Sequence, residues 1–372
     1  MKTVLVAHPS AELYGSDRMA LESVRALVTR HRVVVALPTD GPLVAALQRA
    51  GAVVEIVPAS VLRREALRPT GFLRFGADSA RSLRPIHDVL RRHHVDALYV
   101  NTVVLPLWPV AGKAMGIPTL CHVHEAESIS NPIVRAGFFA PLRCVDLAVF
   151  NSRVSASMVD VLPRRVVYNG VAGPPTPPAP PRPAIDSTLK LVQVGRLSAR
   201  KGTDVAVRAV RLLADRGVPV HLTLVGDSFA GNEPFERALR TTAGDNVTFV
   251  GHRTEVWDSF AEADVALVPS RLEPFGNVAV EAMLCRRIVV ASATEGLTEI
   301  VADGRTGVLV EPGNALALAN AIQDVRENWS AVRTVVDAAH DEARHRFTLE
   351  RYHRDVLECV DQLLRLHVRS AA

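Results

Sequence analysis

The stretch Glu273-Pro274-Phe275-Gly276-Asn277-Val278-Ala279-Val280-Glu281 sets two carboxylates eight positions apart around a glycine turn that opens an apolar helix. Eight helical positions span just over two turns, but Pro274 and Gly276 interrupt the first part, so Glu273 is expected on the loop and Glu281 inside the helix. Ahead of it, Val265-Ala266-Leu267-Val268-Pro269-Ser270 reads as a short buried strand. Strand, polar loop and helix N-terminus make the place where α/β folds hold anionic ligands, because backbone N–H groups and the helix dipole point there. Read alone, two glutamates are better explained as a loop charge and a solvated helix residue.

An earlier segment shifts that balance: Val192-Gln193-Val194-Gly195-Arg196-Leu197-Ser198-Ala199-Arg200-Lys201-Gly202-Thr203. An apolar strand, Leu191 to Val194, runs into a glycine, Arg196 and Lys201 lie either side of a short loop, and an Ala/Val-rich helix begins near Thr203 or Asp204. Two cations at a strand-to-helix turn suit a diphosphate, since Arg offers a planar fork of donors and Lys a point charge. Together with the two glutamates in this order, the pattern resembles the retaining family 4 glycosyltransferases, which have the GT-B fold. The resemblance covers nearly the whole chain.

At 372 residues, 48% of them hydrophobic, the chain exceeds what one core usually carries and argues against extended disorder. Short β-branched runs alternate with amphipathic stretches, which implies parallel sheets with helices on both faces. Strands are expected at Thr3 to Ala7, Arg32 to Leu37, Val53 to Val57, Ala97 to Asn101, Thr119 to Val123, Leu147 to Asn151 and Val166 to Asn169. A proline-dense stretch, Ala172 to Pro183, can form neither helix nor central strand and reads as a linker. Strands resume near Leu189 to Val194, His221 to Val225, Val247 to Val250, Val265 to Val268, Ile288 to Ala291 and Val308 to Val310. The expected organisation is α/β: two doubly wound Rossmann-like domains facing each other across a cleft. Residues 1–172 would be the acceptor-side domain, 173–186 the linker, 187–348 the nucleotide-sugar-binding domain, and 349–372 a helix that in the resembling family crosses back onto the first domain.

Further site candidates lie at strand ends. After the first strand, Gly15-Ser16 precedes the helical run Arg18 to Leu27, with Ser16 a candidate N-cap. The resemblance puts a glycine-rich loop here beside the donor diphosphate, although many family members have two adjacent glycines where this chain has Gly15-Ser16. At Cys121-His122-Val123-His124-Glu125, alternation puts His122 and His124 on one face. A His-x-His pair can bind zinc, but no third ligand is spaced to complete a site, and an ordinary strand-end histidine is the other reading. The family carries His followed by Asp or Glu here, which would make His124 a contact of the transferred sugar and Glu125 a nearby positioning or acceptor-side group. Asn151-Ser152 and Tyr168-Asn169-Gly170-Val171 also match the family, but turn chemistry explains most of them. In the second half, Asp227, His252 and Arg253 occupy positions where the family holds the nucleotide, as do Phe275, Gly276 and Asn277; Asp227 equally fits a turn cap.

The resemblance implies transfer of a hexosyl unit from a nucleotide-diphosphate sugar to a hydroxyl acceptor, with Arg196, Lys201 and helix-terminal N–H groups stabilising the leaving diphosphate. Glu273 would take sugar hydroxyls and Glu281 the ribose hydroxyls. No Asp-x-Asp occurs in the chain, so no metal and no other cofactor are expected.

Charge is uneven: residues 1–172 hold 20 Lys and Arg against 13 Asp and Glu, the remainder 23 against 26. Much of the first excess lies in Val61 to Arg84, an amphipathic basic segment with two equal readings, a solvated helix face or a surface for anionic membrane or a polyprenyl-diphosphate acceptor. The N-terminus is too short in apolar residues for a signal peptide and no apolar run reaches membrane-spanning length, so a cytoplasmic location is expected, with or without peripheral membrane contact. The four cysteines are scattered singly and read as small buried apolar residues. Aromatic residues, at 5%, are too sparse for nucleic-acid stacking platforms. A sugar-nucleotide epimerase and a catalytically silent nucleotide-binding module are the competing readings.

Overall fold

Thirteen strands, all in parallel ladders, form among the described residues. The computed structural model describes residues 1–62, 69–125, 132–161, 163–229 and 231–370, the side chains of 69–74, 132–133 and 366–370 excepted. The chain divides into two compact units, Met1–Gly170 with Leu349–Ala372, and Val171–Thr348.

In the first unit the strands are β1 (Thr3–Ala7), β2 (Arg32–Leu37), β3 (Val53–Ile56), β4 (Ala97–Val100), β5 (Thr119–Val123), β6 (Leu147–Phe150) and β7 (Arg164–Val166), in the order β3-β2-β1-β4-β5-β6-β7. The order reverses between β1 and β4. Strands covered by helices on both faces must be apolar throughout, and β1 shows the consequence: Val4 and Val6 enter one core, Leu5 and Ala7 the other. The first of these cores is completed by the helix Leu349–Ser370, through Tyr352, Val356, Cys359, Val360 and Leu363, one stripe at helical spacing. The Tyr352 hydroxyl, fully buried, lies 2.7 Å from Ser23 Oγ, which is itself 3.2 Å from the Tyr99 hydroxyl. The strand expected at Val166 to Asn169 is displaced: β7 is a short exposed edge, with no apolar run to mark its bounds.

In the second unit β8 (Leu189–Val194), β9 (Val220–Val225), β10 (Val247–Gly251), β11 (Val265–Val268), β12 (Ile288–Ser292) and β13 (Val308–Val310) run in the order β10-β9-β8-β11-β12-β13, reversing between β8 and β11. The proline-dense stretch carries no helix or strand, and its far end is tied to this unit: Arg182 pairs with the buried carboxylate of Asp264, and its carbonyl accepts from Trp329 Nε1 at 2.8 Å. In both sheets the reversal leaves a crevice beyond the carboxyl ends of the central strands, where doubly wound sheets bind ligands. No helix among the described residues is long and apolar enough to cross a membrane.

Tyr352 separates packing from hydrogen bonding in the first unit. Tyr352→Phe, which removes one buried hydroxyl, should cost about 1 kcal/mol, and Tyr352→Ala about 3–5 kcal/mol, in denaturant unfolding followed by a probe of that unit.

Candidate active site

Two loops meet at the reversal point of the second sheet. The loop after β8 leaves through Gly195, whose φ of 136° is a left-handed value that glycine tolerates, and returns at Gly202, where φ is 66°. Gly202 admits no side chain, since a methyl group there would lie 1.9 Å from the Pro269 carbonyl oxygen. That close approach locks the loop against the one following β11. Arg271 adds to the lock, donating to both oxygens of Asp204 at 2.7 Å, while its backbone N–H donates to the Arg200 carbonyl at 2.8 Å.

Within this frame the Lys201 ammonium bonds the Glu273 carboxylate, and Ser270 donates to the same oxygen at 3.1 Å. The backbone N–H of Glu273 donates to Glu295 Oε2 at 2.8 Å. Burial alone would raise the Glu273 pKa, but the charge and hydrogen bond of Lys201, with Arg200 and Ser270 adding to them, hold it below the usual carboxylate value. A buried carboxylate kept ionised is an acceptor only, and hydroxyl groups are its natural ligands. Gly276, at φ 117°, starts the helix Asn277–Leu284 without a side-chain cap, and Glu281 sits half-buried in that helix. The helix Thr203–Asp215 likewise starts at Gly202 without a side-chain cap.

The remaining candidates of this unit spread over the same rim. Arg196 is exposed immediately after Gly195, and the Asp227 carbonyl accepts from Leu197 N–H at 3.0 Å. Gly226 packs so closely on Gly195 that a methyl group would come within 2.1 Å of its carbonyl oxygen, and Gly226 N–H donates to the Gly251 carbonyl at 2.8 Å. Asp227, His252 and Arg253 are all exposed there. The Phe275 ring is buried edge-to-face on Phe347, with centroids 5.6 Å apart, so it is its backbone that this position offers to a ligand.

In the first unit His122 and His124 do share a face, their ring centroids 4.2 Å apart. His122 is fully buried with Nδ1 2.6 Å from the Tyr99 hydroxyl, and His124 Nε2 lies 3.1 Å from Asn101 Oδ1. Burial, and then the neighbouring His8, push the His124 pKa down to about 3; burial lowers that of His122 as well. Glu125, expected nearby as a positioning or acceptor-side group, lies directly against the His124 backbone. Its carboxylate is bonded to Thr102 Oγ1 and to the backbone N–H groups of Val103 and His124, at 3.3 and 3.1 Å, and so fastens the end of β5 to the loop after β4.

Ser16 is not the N-cap. The helix Gly15–Leu27 is capped at Tyr14, whose N–H donates to Asp17 at 2.9 Å, and both Gly15 and Ser16 are exposed in its first turn. Cys144 is only partly buried, unlike the other three cysteines. Among the described residues no His, Cys, Asp and Glu cluster is arranged to hold a metal ion. Most of the basic side chains of Val61 to Arg84, including Arg63, Arg64, Arg68 and Arg74, lie outside the described residues. Sequence reading missed His8, Asp17, Asn101, Ser270 and Glu295. They become partners only through strand register or loop closure, which leave no local mark in the sequence; even the left-handed backbone of Glu295, at φ 39°, is not announced by its residue type.

The histidines give acid sensitivity a sign. A folded-state pKa near 3 against an unfolded value near 6.5 means that the unfolded chain takes up a proton that the folded chain refuses, so stability held above pH 6.5 is lost as pH falls toward 3. Glu125, whose pKa burial raises, works in the opposite sense. His124→Gln should flatten the slope of unfolding free energy against pH by about 1.4 kcal/mol per unit between pH 6 and 4. Equal slopes in wild type and variant would remove His124 as a buried neutral group.

Residues 14–172 match the family model described as Glycosyltransferase Family 4, and residues 188–328 match the one described as Glycosyl transferases group 1. A glycogen synthase of Mycobacterium tuberculosis is 32% identical over 176 residues, which are 47% of this chain and 42% of that protein. A D-inositol 3-phosphate glycosyltransferase of Nocardioides sp. is 27% identical over 84% of this chain and 72% of that protein. The chain spans less than half the length of the first curated relatives it matches. The crystal structure of Anabaena Alr3699/HepE in complex with UDP and glucose aligns with a TM-score of 0.79 at 22% identity, covering 96% of this chain and 99% of that one, a likeness of fold. With two matches that between them take in most of its length, the chain belongs to glycosyltransferase family 4 and has the GT-B fold.

Proposed function

We propose that the chain is a retaining glycosyltransferase that moves a hexosyl unit from a nucleotide-diphosphate sugar to a hydroxyl acceptor. The observation that carries this reading is the Lys201–Glu273 pair, held at the switch point of the second sheet between the starts of the helices Thr203–Asp215 and Asn277–Leu284. Lys201 bonds Glu273 through one of three ammonium protons, which leaves two for phosphate oxygens. Glu273 accepts from sugar hydroxyls, and Glu281 is assigned the ribose hydroxyls. Arg196 and the first N–H groups of the two helices meet the charge that grows on the diphosphate as the glycosidic bond breaks. These cations do the work for which other transferases use a metal ion, so no metal is invoked. His124 is assigned a hydroxyl of the transferred sugar, and retention is ascribed to attack on the face the diphosphate leaves, assisted by a phosphate oxygen. The UDP bound by the HepE neighbour supports a nucleoside diphosphate as the leaving group.

A thermal-shift series with UDP, GDP, ADP, dTDP and their sugar conjugates tests the donor. One diphosphate should raise Tm with or without EDTA, because a ligand at a hundred times its Kd stabilises the folded state by about 2.7 kcal/mol. Lys201→Ala, whose own Tm falls because it strands a buried carboxylate, and Glu281→Ala should lose most of that shift. His124→Ala should keep it and slow transfer roughly tenfold or more. A donor shift of wild-type size in Lys201→Ala and Glu281→Ala would overturn the assignment, and a rearranged donor formed without acceptor would mark an epimerase.

A further inference from the structure

A line of polar side chains, buried up to its last member, crosses the switch point of the first sheet. His8 follows β1, Asn101 follows β4 and His124 follows β5, three strands adjacent in the sheet. Asp17 Oδ1 lies 2.8 Å from His8 Nε2, His8 Nδ1 lies 3.0 Å from Asn101 Nδ2, and Asn101 Oδ1 lies 3.1 Å from His124 Nε2. His8, Asp17 and Asn101 are 1–2% exposed, so that part of the line is shut off from water, and His124 is partly exposed at its end.

Its direction follows from what each group can do. A carboxylate only accepts, so His8 Nε2 must carry the proton that meets Asp17. Asn101 turns its amide nitrogen to His8 Nδ1, so Nδ1 accepts an amide proton. That leaves Asn101 Oδ1 facing His124, and an amide oxygen only accepts, so His124 Nε2 must be the donor. The opposite amide orientation would need His8 protonated on both nitrogens. Burial keeps the His124 ring neutral, so which nitrogen holds its single proton is the property its surroundings decide.

We propose that Asp17, acting through His8 and Asn101, is a positioning residue that fixes His124 in the Nε2–H tautomer and leaves its Nδ1 as a lone-pair acceptor for a substrate hydroxyl. This rests on the assignment of His124 to the transferred sugar. The logic is that of a carboxylate holding an imidazole in the productive tautomer, extended by one amide and one further imidazole. Asp17 serves twice, since its other oxygen caps the helix that opens at Gly15. The relay therefore links the tautomer of His124 to the start of that helix.

Long-range proton–nitrogen NMR of protein labelled with ¹⁵N-histidine reads the tautomer without any need for turnover, with the His124 signals identified by their loss in His124→Gln. In wild type the protonated nitrogen should be Nε2; Nδ1–H would overturn the relay. In Asp17→Asn the amide can donate or accept, so the direction is no longer imposed and an Nδ1–H population should appear. Asn101→Ala cuts the line midway with Asp17 intact and should give the same spectral change. In each variant kcat should fall at least roughly tenfold with donor KM little changed, and the double variant should lose no more than the worse single one. An unchanged tautomer in both variants would overturn the proposal. Absence of transferase activity in wild type, with the Nε2–H tautomer lost in both variants, would instead count against the sugar assignment and leave the relay standing.

Discussion

The bond between Lys201 and Glu273 is the buried ionic link between two loops that backbone contact and the Arg271–Asp204 pair also hold together. One follows β8, the other β11, and these strands are neighbours only because the sheet order reverses between them. Burying a lone carboxylate at that point would be costly, and burying a lone ammonium equally so; each is tolerated because the other is there. The glycines then follow as necessities. Gly202 gives way to the Pro269 carbonyl, and Gly276 lets the second loop turn into its helix. Arg271 and Asp204 close the frame from outside, in a two-point contact that fixes orientation as well as distance.

The first unit solves a related problem with different chemistry. At its reversal point the described residues form a row of hydrogen-bonded polar side chains ending in a carboxylate. Ionic partners hold groups by charge and tolerate small shifts; a row of directional hydrogen bonds transmits which atom holds a proton.

Nearly all of the fold was legible in the chain because parallel sheets covered on both faces force unbroken β-branched runs, and such runs stand out. β7 was misplaced because an exposed edge strand, Arg164-Arg165-Val166, lies under no such pressure. Glu273 and Lys201 could be singled out by their loops, but not their bond, since nothing in a sequence says which of several cations a buried carboxylate will choose. Ser16 looked like a cap because serine caps helices often; Asp17 took that role from the third helical position. That the Phe275 ring belongs to the core could not be read locally, because Phe347, far along the chain, completes its packing. Asn101 lies 93 positions from His8 and 23 from His124, and only the register of β1, β4 and β5 makes them partners.

The core of the first unit closes with a helix encoded after the whole of the second. Tyr352, Val356 and Leu363 reach their places only when the intervening 178-residue unit, Val171–Thr348, has already left the ribosome. Domains generally fold in the order in which they are made. Here that order is inverted at the last step: the second unit is complete while the first, begun earlier, still exposes an apolar groove along one face of its sheet. The nascent chain is therefore most vulnerable to aggregation in its oldest part. Shortening the helix from its C-terminal side would leave the second unit folded and the first permanently unfinished.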